Sequence, residues 1–474
     1  MFGLSYEMLM LLIICLLAAC VFEFINGFHD TANAVATVIY TKSLKPTYAV
    51  IWSGIWNFLG VYIGGIAVAM GIVNLLSNTV LIDQDAYHAT AMILALVITA
   101  IIWNLGTWYL GLPCSSSHTL IGSIFGVGLA YILIPGSENI ALNWNKVKDA
   151  GLSLLVSPIV GFGLAIGVMA LTKKYTSKHL KDLLFEEQHK RKHPPFWVRA
   201  ILILTSTILS FSHGSNDGQK GVGLIMIILI ALVPAEFSID SNKSLDKLSD
   251  RAIMMENTVS RVSSQNSEIE DKLSCQLIRE KLVNINKNLY KTKLSEDFKK
   301  GVTLEIRKDI IAVSKEMESL LTPKYDRVEL TISKEDKRSL KKGVTYLKSY
   351  IEYSPWWVIL MISVSLGLGT MIGWKRIVVT VGERIGKQPL TYAQGASANL
   401  VASLTIGFST MLGVPVSTTH VLSSGVAGSM VATKGIKNLR MKTVRNILIA
   451  WLITLPVTIV LSGAIFLLLR WLKT

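Results

Sequence analysis

Two stretches decide how this chain folds: Phe24-Ile25-Asn26-Gly27-Phe28-His29-Asp30-Thr31-Ala32-Asn33-Ala34 and Phe211-Ser212-His213-Gly214-Ser215-Asn216-Asp217-Gly218-Gln219-Lys220-Gly221. Each sits inside an apolar run longer than the ~20 residues that cross a bilayer as a helix. A carboxylate therefore falls near the hydrocarbon midplane twice. Hydrocarbon cannot solvate charge, so acids in membrane segments are rare and mark ion or substrate paths.

Outward from these motifs, the 474-residue chain is 51% hydrophobic, with a mean hydropathy of +0.47. Its long apolar runs are those of a polytopic membrane protein. The net charge of +15 is dispersed over short loops, where it reads as topology, and no basic stripe with interleaved aromatics suggests nucleic acid. Four cysteines, three of them in or beside apolar runs, make no disulfide framework. Residues 1–10 carry Glu7 and no basic cluster, so the first apolar run is expected to remain as a helix.

The first half reads as apolar runs over 8–40, 47–73 and 88–110, a run ending at 134 and one over 147–171. The second reads as 196–233, 355–373, 390–412, 413–432 and 444–469. The run over 8–40 is too long for a straight span and is expected to break near Gly27. At the start of the fourth run of each half stands a hydroxyl cluster: Pro113-Cys114-Ser115-Ser116-Ser117-His118-Thr119 and Pro415-Val416-Ser417-Thr418-Thr419-His420. Proline before serine is a helix-start signal, which puts two helix N-termini inside the membrane.

Asp30 precedes Pro113 by 83 residues and Asp217 precedes Pro415 by 198, and the polar stretch 236–353 accounts for the excess. With 23 Lys and Arg against 20 Asp and Glu it reads as a water-facing, mostly helical insertion. The fold class is thus all-α polytopic membrane protein, with about 10–12 transmembrane segments in two inverted repeats. The parts are residues 1–172, a basic linker 173–195, residues 196–235, the insertion 236–354 and residues 355–474. Basic loops on one side make that side cytoplasmic.

Outside the insertion only Glu23, Asp30 and Asp217 are acids within apolar segments. Lys220 shares a helix face with Asp217, either as a structural ion pair or as part of a site where the substrate is a third charge. Ser115, Ser116, Ser117, Ser417, Thr418 and Thr419 are neutral donors beside helix N-termini, which suits an anion that must also be released; capping and helix packing alone would use the same residues. His29 beside Asp30 could tune a proton relay, and His118 and His420 could orient the hydroxyls. The glycines of 60–71 and 122–128 read as close helix packing. No nucleophile, base and oxyanion set suggests an enzyme, and no cofactor is implied.

On the stretches 26–34 and 211–221 and the clusters 113–119 and 415–420, the sequence resembles the inorganic phosphate transporter (Pit) family, in its bacterial low-affinity branch. The resemblance covers both membrane halves. It implies a bacterial inner-membrane symporter for inorganic phosphate, homodimeric, with the phosphate on Ser115, Ser116, Ser117, Thr119, Ser417, Thr418 and Thr419. It also implies coupling at His29, Asp30, Asn33, Asn216, Asp217, Gln219 and Lys220. Protons are favoured over sodium, because His29 and Lys220 stand where sodium-coupled members carry Asn. The cargo can also be a divalent metal-phosphate complex, and a carrier or channel for another oxyanion such as sulfate is the rival reading.

Overall fold

In the computed structural model, residues 4–76, 86–134, 142–185, 194–265, 269–294, 299–322, 332–373 and 375–472 are described. They form helices joined by short turns, with no strand beyond isolated bridges among the described residues. The chain divides into two compact units, one comprising Tyr6–Ile228 with Ser354–Thr474, the other holding Leu229–Tyr353.

The first half of the membrane unit contains α1 (Tyr6–Tyr40), α2 (Pro46–Ile63), α3 (Ala67–Val73), α4 (Ala86–Tyr109), α5 (Ser116–Ile132) and α6 (Trp144–Tyr175). After a short α7 (Lys178–Phe185), α8 (Phe196–Leu232) opens the second half. The polar unit contributes α9 (Pro234–Phe237), α10 (Leu245–Gln265), α11 (Ile269–Leu294), α12 (Lys299–Leu321) and α13 (Lys334–Ile351). The second half resumes with α14 (Trp356–Thr370), α15 (Lys375–Val379) with a π turn Thr380–Arg384, α16 (Tyr392–Met411), α17 (Thr418–Lys434) and α18 (Met441–Trp471). The halves correspond as α1 to α8, α2–α3 to α14–α15, α4 to α16, α5 to α17 and α6 to α18. The polar unit thus takes the place that the turn between α1 and α2 holds in the first half.

The first motif helix does not break at Gly27. It runs unbroken for 35 residues, and its counterpart α8 for 37. The expectation failed because the polar residues are satisfied by side chains instead of by unwound backbone: Asn26 Nδ2 donates to Glu23 Oε1 at 3.0 Å, and Asp30 takes donors from other helices. Gly27 serves close packing, since a Cβ there would lie 2.5 Å from the Leu366 carbonyl oxygen. Its counterpart Gly214 abuts the Asn57 backbone in the same way. The breaks occur elsewhere. Helices α2 and α3 bend by 71° at Gly64-Gly65, and the chain stops at Gly111 and Gly413, both with positive φ, before α5 and α17.

Among the described residues, five helices are long and apolar enough to cross a membrane alone: α1, α4, α6, α8 and α18. At 17 residues each, α5 and α17 are ~25 Å long, short of the ~30 Å core, as half-helices starting inside it should be.

Helices α1 and α8 run antiparallel, as inverted halves require: Ser206 Oγ donates to the Ala34 carbonyl at 2.6 Å, His213 lies 3.8 Å from Asp30, and Gly221 meets Glu23. Partners are exchanged between halves. Helix α2 accompanies α8 through Ser53–Ser210 (3.0 Å) and Asn57–His213 (3.0 Å), while α14 accompanies α1 through Phe24–Gly369 and Phe28–Gly373 contacts. Likewise α6 packs on α17 and α18 on α5. Gly126 lets α18 approach to backbone contact at Ile459, and Ser462 Oγ donates to the Ser123 carbonyl at 2.9 Å.

Candidate functional site

Where the antiparallel motif helices cross, the N-termini of α5 and α17 meet head to head. Each is capped as its sequence dictates: Ser115 Oγ accepts from His118 N at 3.2 Å and Ser417 Oγ from His420 N at 3.1 Å. Both caps are buried, at 1% and 0% exposure, so the positive ends of two half-helices open into the protein interior rather than to water.

The remaining hydroxyls of the clusters reach the two acids. Ser116 Oγ donates to Asp30 Oδ2 at 3.1 Å, and Thr419 Oγ1, from the other half, to Asp30 Oδ1 at 2.7 Å. Thr418 Oγ1 donates to Asp217 Oδ2 at 3.0 Å. Lys220 Nζ donates to Asp217 Oδ1 at 2.6 Å and also bonds Ser117 Oγ, which in turn donates to the Val416 carbonyl at 2.7 Å. His29 Nδ1 sits 3.2 Å from Asp30 Oδ1, and its Nε2 3.2 Å from Thr107 Oγ1.

Between the two acids stands a residue not singled out from the sequence, His213. Its Nε2 lies 3.4 Å from Asp217 Oδ2 and 3.8 Å from Asp30 Oδ2. Its other nitrogen is oriented by a chain of donors: Thr370 Oγ1 gives its proton to the Leu366 carbonyl, so it accepts from Asn57 Nδ2, which turns Asn57 Oδ1 toward His213 Nδ1 at 3.0 Å. Nδ1 therefore donates, and Nε2 is the ring atom that faces the two carboxylates. The spacing carries a signal, since His213 is four residues before Asp217 on one helix face.

Other expected residues lie elsewhere. Gln219 Oε1 caps the start of α3, accepting from Val68 N at 2.7 Å, and its Nε2 donates to the Gly64 and Ser215 carbonyls. Asn216 Nδ2 donates to Thr410 Oγ1 at 3.0 Å, and Thr119 Oγ1 to the Ser115 carbonyl within its own helix. The Asn33 side chain lies outside the described residues. Glu23, fully buried on α1, has Oε1 bonded by Asn26 and no hydrogen-bond partner at Oε2. Behind the clusters, the His118 and His420 rings lie 4.5 Å apart and His420 stacks on Trp451 at 3.8 Å, with His118 Nδ1 2.9 Å from Ser115 Oγ.

The arrangement can do two things chemically. Hydroxyl and amide donors converge from two helix N-termini, which is the donor set an oxyanion needs. One ligand atom from each of Asp30, His213 and Asp217 also lies within 4.8 Å of the others, a mixed N and O set that a divalent cation could share.

The model described as "Phosphate transporter family" matches residues 26–462. The low-affinity inorganic phosphate transporter PitA of Escherichia coli (strain K12) is 40% identical, with 98% of this chain and 97% of that protein covered. The low-affinity inorganic phosphate transporter of Buchnera aphidicola subsp. Acyrthosiphon pisum (strain APS) is 40% identical, covering 96% of each. A probable low-affinity inorganic phosphate transporter of Bacillus subtilis (strain 168) is 27% identical over 98% of each chain. Among solved structures, the sodium-dependent phosphate transporter superposes with a TM-score of 0.54 at 20% identity, over 98% of this chain and 99% of that one, a likeness of fold.

Proposed function

The chain belongs to the phosphate transporter family, and from that premise we propose that it imports inorganic phosphate across the bacterial cytoplasmic membrane by proton symport with alternating access. The observation that carries the reading is the sharing of donors. Ser116, Thr418 and Thr419, the hydroxyls that should hold phosphate oxygens, all donate to Asp30 or Asp217. A carboxylate and a phosphate compete for the same hydrogens. When Asp30, Asp217 or the His213 bridge takes up a proton, the carboxylates need fewer donors and the hydroxyls turn to the anion. Proton and phosphate thereby favour each other's binding, which is the thermodynamic requirement of symport.

Charge points the same way. Lys220 offsets one of the two carboxylates, so an entering anion meets residual negative charge until a cation joins it. The fixed ammonium of Lys220 occupies the position where a loose cation would sit, which favours protons over sodium. A second cargo, a divalent metal-phosphate complex, is favoured by the Asp30, His213 and Asp217 donor set.

The test is phosphate uptake by the full chain in proteoliposomes with pH and sodium gradients imposed separately. Uptake should follow the pH gradient, be inhibited by arsenate and not by sulfate, and fall to background in Asp30→Asn and Asp217→Asn proteins that still insert. Accumulation driven by sodium alone, or intact in either variant, overturns the coupling assignment. Stimulation by added Mg²⁺ or Zn²⁺ that is lost in His213→Gln would support the metal-phosphate cargo.

A further inference from the structure

We propose that the cavity between the C-terminal end of α4 and the α15 segment is a second anion site, separate from the transport centre, which takes a phosphoryl group from an anionic phospholipid or from free phosphate. The cavity measures about 530 Å³ and is lined by Trp108, Tyr109 and Leu110 on one side and by Lys375, Arg376 and Arg384 on the other. Among the described residues, three cations and no acid line it. The nearest acid in sequence, Glu383, is engaged with the Tyr40 hydroxyl instead.

The walls are built and held. The Arg376 guanidinium lies 5.1 Å from the Trp108 ring and 4.9 Å from the Tyr109 ring, and its Nη1 donates to the Tyr109 carbonyl at 2.7 Å. Trp108 Nε1 donates to the Gly373 carbonyl at 2.9 Å, closing the floor. The two ring contacts and the bond to the Tyr109 carbonyl hold the guanidinium at the cavity wall, and its other N–H groups are a donor set that suits phosphoryl oxygens.

The apolar rim distinguishes this cavity from a simple basic surface. Tyr109 and Leu110 are each 67% exposed beside the cations. An acyl chain along the rim with its phosphate among the cations would cover both, and basic pockets between membrane helices on the cytoplasmic side hold lipid headgroups in this way. The cavity also touches the approach to the transport centre. Trp108 packs edge-on against Phe28 at 5.1 Å, next to His29, and Thr380 Oγ1 donates to the Gly111 carbonyl at 2.8 Å, two residues before Pro113. An occupant would stiffen both flanks of the first hydroxyl cluster.

The experiment has two arms, each comparing the full chain with its Lys375→Gln/Arg384→Gln variant, which leaves every residue of the centre in place. In the first, native mass spectrometry measures retention of dioleoylphosphatidylglycerol against dioleoylphosphatidylcholine. In the second, radiolabelled phosphate is titrated onto protein in phosphatidylcholine nanodiscs and the number of sites is counted. At about one five- to six-fold step per cation, the variant should lose about 30-fold in the arm whose ligand is the true one. A drop in the lipid arm assigns the headgroup, and a drop in the phosphate arm, with one site lost, assigns free phosphate. Should the double variant fail to fold, Lys375→Gln alone at an exposed position should lose one step. No change in either arm overturns the proposal. Because lipid retention requires no transport, failure here is distinguishable from failure of the phosphate-import reading.

Discussion

At the scale of single residues, Asp217 and Lys220 form a fully buried ion pair, which the proposed mechanism places in the transport centre. Removing one partner leaves the other charged, unpaired and fully buried, which costs about 3–5 kcal/mol. Lys220→Met alone should therefore lower thermal stability sharply, while Lys220→Met with Asp217→Asn should restore most of it without restoring uptake. Melting curves and vesicle uptake on the same preparations check this, and a double variant that transports would remove the pair from the mechanism. His213→Gln should keep the bond to Asn57 but cannot bridge two acids, so concentrative uptake should fall at least ten-fold while the protein still inserts. Asp30, Asp217, Lys220 and the hydroxyls were legible because polar groups at membrane depth are costly and conspicuous. The bridging place of His213 was not, since it depends on a ring orientation set by Asn57 and Thr370, residues distant in sequence. Gln219 was hard to read for the same reason: its main partner is the start of α3, brought alongside only by packing.

At the scale of elements, the hydroxyl clusters behave as helix starts, as their Pro-x-Ser pattern indicated. Replacing the Ser115 cap by Ala should cost about 1 kcal/mol by removing an acceptor for the His118 N–H. The discrepancy lies in α1, where length suggested a break near Gly27. Side-chain donors from other helices satisfied the polar residues, and no sequence pattern announces such distant donors. The motif glycines instead bring helices into backbone contact. Gly27→Ala and Gly214→Ala each force a Cβ into a neighbouring backbone and should destabilise by about 1–3 kcal/mol, whereas Gly106→Ala, with open space around it, should be neutral. Comparable melting temperatures for all three would contradict the packing account.

At the scale of the whole chain, the repeat was legible from motif order and from the excess length of the second half. The tertiary structure of 229–353 was not, because its charged helices bury apolar faces, distant in sequence, against one another. Its own core gathers Leu248, Val259, Ile278, Ile285, Ile310 and Leu347. Its two ends are tied by the buried Arg307, whose Nη1 donates to the Ser238 and Ile351 carbonyls at 3.2 and 2.9 Å; burial pushes that guanidinium down to about 10. Asp336, at the start of α13, is held below the usual carboxylate range by the Arg261 guanidinium and the Ser333 hydroxyl. A depressed folded value means that its contribution is present above the unfolded pKa of ~3.9 and is lost as pH falls through the folded value. Hydrogen exchange on the full chain should show the first turn of α13 losing protection below about pH 4, a dependence absent in Asp336→Asn.

In the proposed mechanism, two inverted half-chains bring their hydroxyl clusters onto one phosphate. Equilibrium binding of radiolabelled phosphate to the purified full chain in nanodiscs, native against Thr418→Val/Thr419→Val, tests it most directly. Two lost hydroxyl donors to a charged ligand predict at least a ~100-fold fall in arsenate-competed affinity, with the fold intact. Unchanged affinity in a correctly folded variant would contradict the account.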